Sequence, residues 1–435
     1  MEKGSILAQL SWGLAHFFST SQAKYAHMMS PRTQGLVMDK ATLKSRLNSF
    51  TVETPSWGLA KIGTRFGTFR QPWAAKSLDE KLADAGQVQK FTGICPRVAL
   101  HIPWDMSDNW GSVQAMAKAN GVQIGAINPN VFQDEVYQFG SICNTDAAVR
   151  QKAIAHHIEC IEIAKATGSN AISLWYADGT NYPGQANMRA RKQRMYESLK
   201  AVYAKLPPGM KMLVEYKCFE PAFYHTDIQD WGSSLLLCQK LGPQAQVLVD
   251  TGHHLPGCNI EHIVAILLDE GRLGGFHFND RKYADDDLTV GAINPYQLFL
   301  IFCELIAGEE DPSQVVSQCA KACAYMFDQC PNHKPTIESV IQSAVCVQET
   351  WAKALLVDRA ALKKSQDIHD LTMCEEILKD AYNTDVRPIL AEWRQERGID
   401  PNPMAAFRRS GYLKKVAEER IKKRAGQGGA TGAFG

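Results

Sequence analysis

The chain alternates short apolar runs of strand-like composition with longer stretches in which apolar residues return every three to four positions. The short runs are FTVETPSW (50–57), RVALHIPW (97–104), VQIGAIN (122–128), NAISLWYADG (170–179), KMLVEYK (211–217), QVLVDTGHH (246–254), LGGFHFND (273–280) and AYMFDQ (324–329). They are rich in β-branched and aromatic residues, which suit a pleated, half-buried surface. The stretches between them carry helix punctuation. AAVRQKAIAHHIECIEIAKAT keeps a helical period and stops at Gly168, a residue suited to a left-handed C-cap. A second, NPYQLFLIFCELIAGEE, places Pro295 just after Asn294, at the first helical position, where a missing N–H costs little.

Eight strands alternating with helices predict parallel pairing through right-handed crossovers, and the count favours a closed (β/α)8 TIM barrel, an α/β fold, over an open sheet. The barrel is expected over residues 50–360, with helical extensions at 1–49 and 361–420 and a flexible Gly-rich tail at 421–435. No strand precedes that tail and no helix follows it, which leaves a nucleotide-cradle reading little weight. Near the start, Ile6, Leu7, Leu10, Leu14, Phe17 and Phe18 recur at helical spacing while Gln9, Ser11 and His16 interrupt the apolar run. An amphipathic helix is expected there rather than an export signal.

Composition changes this picture little. The 435 residues are 45% hydrophobic and 21% charged, enough for a sizeable core, and they fit one barrel with extensions as well as two or three average domains. A formal net charge of +1 gives no field to gather nucleic acid or an acidic membrane. No apolar stretch approaches the ~18 residues of a membrane span. The 12 cysteines are scattered from Cys95 to Cys374 without a C-x-x-C pair, which suits free thiols in a reducing cytoplasm.

The candidate chemistry lies at the C-terminal ends of the last four strands, the end of a TIM barrel where sites are built. Glu215 and Lys217 end the fifth strand and, being two apart, share a face. Asp250 ends the sixth, and Gly252 lets the backbone turn so that His253 can fold back toward the same centre. The seventh carries His277 and opens into Asp280, Asp285, Asp286 and Asp287, of which Asp285 and Asp287 could aim inward while Asp286 meets solvent. Asp328 ends the eighth. So many carboxylates on one rim repel each other unless a cation lies between them. Mixed oxygen and imidazole ligands suit Mn²⁺, Co²⁺, Zn²⁺ or Mg²⁺, and the lack of cysteine argues against structural zinc. Glu215, Asp250, His277 and Asp328 would form one site; Asp250 could bridge to a second made by His253, Asp285 and Asp287.

Blander readings compete residue by residue. A strand-end Asp is most often the N-cap of the next helix. An isolated His277 would be a hydrogen-bonded core histidine, the class in which His254 and His262 are placed; Phe276, Phe278 and Tyr325 are read as core. The bland alternative must hold at four strand ends at once, and there it weakens. The remaining strand ends supply Trp57, His101 with Trp104, Phe132 and Trp175, aromatic walls suited to the C–H faces of a small polyol, although aromatics also fill cores.

The blocks PSWG, LHIPWD, DGTNYPGQ, EPAFYHTDIQDWG, VDTGHH, GGFHFNDRKYADDDL and ALLVDRAAL closely resemble the bacterial L-rhamnose isomerases, in particular the shorter, broad-specificity type, over about residues 48–415. The resemblance implies a barrel like that of xylose isomerase, two divalent metals per subunit with Mn²⁺ preferred, and a homotetramer. It places a structural metal on Glu215, Asp250, His277 and Asp328, and a catalytic metal on His253, Asp285 and Asp287 with Asp250 shared. It further implies His101 near the sugar ring oxygen, Lys217 near the reacting carbonyl, Trp57 and Trp175 lining the cleft, and a neighbouring subunit's loop around Phe66, in KIGTRFGTF, capping it. Two departures bear on sugar preference: DQCPNHK, with Cys330 and Pro331, replaces a usual Ser–His–Asn run, and Tyr216 stands where histidine is common.

The expected activity is aldose–ketose isomerisation between C1 and C2, interconverting L-rhamnose and L-rhamnulose and also acting on aldoses such as D-allose. His101, Lys217 and Asp287 are the expected catalytic residues, and Trp57, Phe66, Trp104, Phe132, Trp175, Lys217 and Asp328 the sugar contacts. Three rivals are a ketose 3-epimerase working with one metal, a metal-dependent endonuclease, which the near-neutral charge disfavours, and a sugar-binding barrel without catalysis.

Overall fold

The computed structural model describes residues 38–60, 63–64, 67–68, 71–220, 223–285, 287–330 and 333–425. The predicted amphipathic helix at 6–18 and the positions Phe66, Asp286 and Pro331 therefore lie outside the described residues.

Eight parallel strands close into a barrel: β1 (Glu53–Pro55), β2 (Arg97–Ile102), β3 (Gln123–Pro129), β4 (Ala171–Leu174), β5 (Lys211–Glu215), β6 (Ala245–Asp250), β7 (Leu273–Phe278) and β8 (Ala324–Phe327). Each pairs with its sequence neighbours, and β1 closes the ring by pairing with both β2 and β8. The strands are shorter than the apolar runs suggest, because the rim residues leave the ladder to build loops. Trp175 lies past the end of β4, and Lys217 lies beyond β5, its N–H donating at 3.0 Å to the carbonyl of Ile228 rather than to a neighbouring strand.

Around the barrel run α1 (Lys40–Ser49), α2 (Leu78–Thr92), α3 (Trp110–Ala119), α4 (Ala147–Thr167), α5 (Met188–Tyr203), α6 (Trp231–Leu241), α7 (Ile260–Asp269), α8 (Pro295–Glu309), α9 (Gln314–Lys321) and α10 (Thr336–Leu355). α4 ends on Gly168 at φ 72°, and α8 begins with Pro295 after the Asn294 cap, as the punctuation predicts. Five further helices follow: α11 (Arg359–Asp367), α12 (Leu371–Asn383), α13 (Arg387–Gln395), α14 (Pro403–Arg409) and α15 (Tyr412–Ala425). Residues 421–425, expected in the flexible tail, instead complete α15. Arg420 fastens this helix to the barrel by donating to both oxygens of Asp84 on α2, at 2.8 and 2.9 Å.

The period of two along each strand sorts side chains between two cores. Outward residues such as Val214, Val249, Phe276 and Phe278 join the large layer under the helices. Inward residues Ala99, Ala126, Leu213, Leu248 and Met326 fill the barrel axis. Two positions further up the same inward rows stand His101, Asn128, Glu215, Asp250 and Asp328, and His277 is inward by its pairing with Met326. The register also pairs Asp250 with His277, so adjacent strands deliver ligand-type side chains to one level.

Candidate active site and metal centre

At the end of the barrel where β5 to β8 finish, Glu215, Asp250, His277 and Asp328 each offer a ligand atom within 4.8 Å of the others. The Nδ1 of His277 lies 3.2 Å from Glu215 Oε2 and 3.6 Å from Asp328 Oδ2. Glu215, Asp250 and His277 are buried, whereas the Asp328 side chain keeps 23% of its surface. None of these aspartates is an N-cap: the helices that follow the last three strands are capped by Asn259, Asn294 and Pro335. The rim carboxylates are thus free for other work.

A second group adjoins the first. His253 Nδ1 donates to the Tyr216 carbonyl at 3.0 Å, which leaves Nε2 with a lone pair facing Asp285 Oδ1 at 3.3 Å and Asp250 Oδ2 at 3.9 Å. Acceptors so arranged require a proton or a cation between them. Asp287 holds φ 46°, in the left-handed region that aspartate tolerates better than most residues. Lys217 is buried between Asp285 at 2.6 Å and Glu220 at 2.8 Å, with its ammonium 5.0 Å from the Trp175 ring centre.

Titration behaviour reflects the crowding. Burial, reinforced by Glu215, Asp328 and Asp285, raises Asp250 to about 7 although His253 opposes it. Burial and the Asp285, Asp328 and Asp250 charges raise Asp287 well above its ordinary value. Burial pulls His277 down, but Glu215 and Asp328 outweigh it and lift the ring to about 9. These are the shifts of acidic groups packed with too little positive charge.

The other half of the rim is aromatic. The His101 ring stacks on Trp104 at 3.9 Å and meets Trp57 at 5.6 Å and Phe132 at 5.8 Å, both edge-on. Phe132 in turn contacts Trp175 at 4.9 Å. Trp57 joins the halves, its indole N–H donating to Asp328 Oδ1 at 2.8 Å.

Residues 80–297 match the family described as xylose isomerase-like TIM barrel. A protein named "Probable sugar isomerase" from Rhizobium meliloti (strain 1021) is 45% identical over 397 residues, covering 90% of this chain and 91% of that protein. This chain belongs to the xylose isomerase-like TIM barrel family. A second "Probable sugar isomerase", from Mesorhizobium japonicum, is 43% identical over 401 residues, 91% of each chain. Among solved structures, an L-ribulose 3-epimerase overlays with a TM-score of 0.53 at 13% identity, over 71% of this chain and 98% of that one. A D-allulose 3-epimerase from Methylomonas sp. gives 0.50 at 14%, over 68% and 95%. At such identities the likeness to the epimerases is one of fold. The chain is thus a sugar isomerase-like barrel, and no described helix is long and apolar enough to cross a membrane.

The cluster fits the divalent ion typical of this xylose isomerase-like family. Both ring nitrogens of His277, Oε1 of Glu215 and Oδ1 of Asp285 are buried with no hydrogen-bond partner among the described residues. A buried imidazole and buried carboxylate oxygens left without partners are costly in a finished protein core, and a cation can take one nitrogen of His277 together with the Glu215 oxygen beside it. The donor set, oxygen with imidazole and no sulfur, suits a hard or borderline divalent metal.

Several residues differ from expectation. The backbone does turn at Gly252, and glycine is needed there for room as well: a Cβ would lie 2.5 Å from Asn279 Oδ1. His262 is exposed on α7 rather than in the core, while His254 is buried and shares a hydrogen bond with the Tyr216 hydroxyl at 2.7 Å. Sequence reasoning passed over Asn279, whose Nδ2 donates to both Asp250 oxygens at 3.0 Å, and Glu220, the second partner of Lys217. Asn279 stands two residues past His277 in the same period, and that spacing was the available signal.

Proposed function

We propose that this barrel is a two-metal aldose–ketose isomerase that interconverts L-rhamnose and L-rhamnulose and accepts other aldoses such as D-allose. The observation that carries this reading is His253, facing Asp285 and Asp250 beside the first four-residue cluster, with Asp287 near enough to feel the Asp285, Asp328 and Asp250 charges. A one-metal 3-epimerase has no use for that second set.

Glu215, Asp250, His277 and Asp328 would hold one ion, and His253, Asp285 and Asp287, with Asp250 shared, the other; Mn²⁺ is the preferred metal. Bound there, divalent ions supply Lewis acidity toward the C1 and C2 oxygens of the sugar. The chain's own residues do the rest. His101, buried with an unpartnered Nδ1 and held neutral, moves the proton that opens the ring at its oxygen. The Lys217 ammonium, kept charged by Asp285 and Glu220, donates to O1 as charge develops there. Asp287 takes the O2 proton, directly or through water, as hydrogen passes from C2 to C1 and O1 is protonated. Trp57, Trp104, Phe132 and Trp175 cover the C–H faces and keep water from the open-chain sugar, with Asp328 at a hydroxyl. A homotetramer, with a neighbouring subunit's loop around Phe66 over the cleft, and a cytoplasmic setting complete the proposal.

The test offers L-rhamnose, D-allose and a panel of ketoses to the Mn²⁺-loaded protein and counts metal by elemental analysis. Two ions per chain and ketose formed from aldose support the reading. One ion per chain with inversion at C3 of ketoses would make it an epimerase, and sugar binding without turnover would make it a binding protein.

A further inference from the structure

A buried ion pair lies directly behind the aromatic half of the rim. Lys81 of α2 and Asp105, in the loop after β2, have side chains 4% and 0% exposed and meet at 2.6 Å. The other Asp105 oxygen accepts the Ser56 hydroxyl at 2.5 Å and the His101 backbone N–H at 2.8 Å. Ser56 immediately precedes Trp57, which holds Asp328. One carboxylate therefore ties together a helix, the end of β1 and the end of β2.

Stability alone does not account for this arrangement. Desolvation consumes most of the attraction in a buried ion pair, and an apolar pair of similar volume holds a helix to a barrel as well or better. What an apolar pair cannot do is accept hydrogen bonds at one point from two strand ends. That point matters because little else aims the His101 ring. Among the described residues its Nδ1 has no hydrogen-bond partner, and beyond its own backbone the ring is held by a stack on Trp104 and edge contacts with Trp57 and Phe132.

We propose that Asp105, braced by Lys81, is a positioning residue that sets the separation and tilt of Trp57 and His101 and thereby the fit of the sugar between the aromatic and metal-binding halves. The inference rests on the isomerase reading above. It assigns Ser56 a part as well, as the link that carries the β1 end. Burial, followed by the Lys81 charge, holds His101 down at about 3, so the ring presented to the sugar is a neutral imidazole.

The experiment uses the full-length, Mn²⁺-loaded protein and compares wild type with Ser56→Ala and with the double variant Lys81→Met/Asp105→Leu. Near-UV circular dichroism checks folding, elemental analysis counts Mn²⁺, titration calorimetry follows a non-reacting sugar alcohol, L-rhamnitol, and kcat and KM are measured separately for L-rhamnose. The double variant is expected to fold and to keep its Mn²⁺ while kcat/KM falls about a hundredfold, the scale of a misplacement of about 1 Å. L-rhamnitol binding should weaken with it, and Ser56→Ala should fall between the two. A folded double variant with wild-type kcat/KM and polyol affinity would make the pair merely structural and overturn the proposal. Should the double variant not fold, Ser56→Ala decides alone: unchanged kinetics and affinity overturn it. A wild-type chain that binds Mn²⁺ but neither binds nor converts sugar would sink the isomerase reading and this inference together, an outcome plainly distinct from the former two.

Discussion

Among the described residues two carboxylate clusters stand on the loop side of this barrel, and one of the two calls for a metal. Around Cys143, Asp178 and Asp227, ligand-type atoms also gather within 4.8 Å. There, however, Asp227 takes a forked contact from Arg191, with Nη2 at 2.8 Å and Nε at 3.0 Å. Asp178 accepts the Ser141 N–H and hydroxyl at 2.8 and 2.7 Å and the Cys143 N–H at 3.1 Å. Its oxygens are filled and its charge has a guanidinium beside it. In the Glu215 cluster the donors run out: Asn279 and Gly252 serve Asp250, Trp57 serves Asp328, and buried atoms of Glu215, His277 and Asp285 remain without partners. Proximity of acidic groups does not by itself make a metal site; a shortage of protein donors does.

That contrast can be broken from either side. The largest effect is expected for Asp250→Asn, at the junction of the two metal groups. Turnover of L-rhamnose should drop on the order of 10⁴-fold, the worth of several kcal/mol of Lewis-acid stabilisation, and Mn²⁺ content should fall below that of wild type. Full metal content and activity in a folded variant would exclude the bridging role. Next comes Arg191→Met, which strands Asp227 and should cost about 3–5 kcal/mol of stability in chemical denaturation. Because the Asp227 cluster does not depend on a metal, the variant's bound Mn²⁺ should be unchanged; loss of an ion would mean the two clusters are not independent. The smallest effect is expected for Asn279→Ala. Asp250 keeps its Gly252 contact but loses its amide partner, and Mn²⁺ affinity should weaken about 10- to 100-fold. An unchanged affinity would show that the strand end alone orients this carboxylate.

Much of the barrel half of the site is legible in the chain. Glu215, Asp250, His277 and Asp328 each fall on the inward row of a strand whose alternation is visible by eye, and parallel neighbours in register must bring such rows together. Loops carry no such rule. Lys217 does not sit on β5 as the shared-face argument expects, yet it reaches Asp285 because the loops after β5 and β7 fold toward each other. Asp105 and Lys81 were invisible as site residues, since their partners are distant in sequence or are backbone groups, and Glu220, though only three residues from Lys217, meets it beyond β5, where no strand period announces the contact.

Periodicity, punctuation and the placement of polar residues at apolar run ends are local properties, and from them this chain's eight-stranded barrel and its acidic rim could be read without coordinates. Which of two acidic clusters is short of donors, how far a strand continues before its loop begins, and which carboxylate ties β1 to β2 are questions of three-dimensional neighbours. Hydrogen-bond satisfaction is counted over everything within about 3.5 Å of an atom, and only the folded chain decides what lies there.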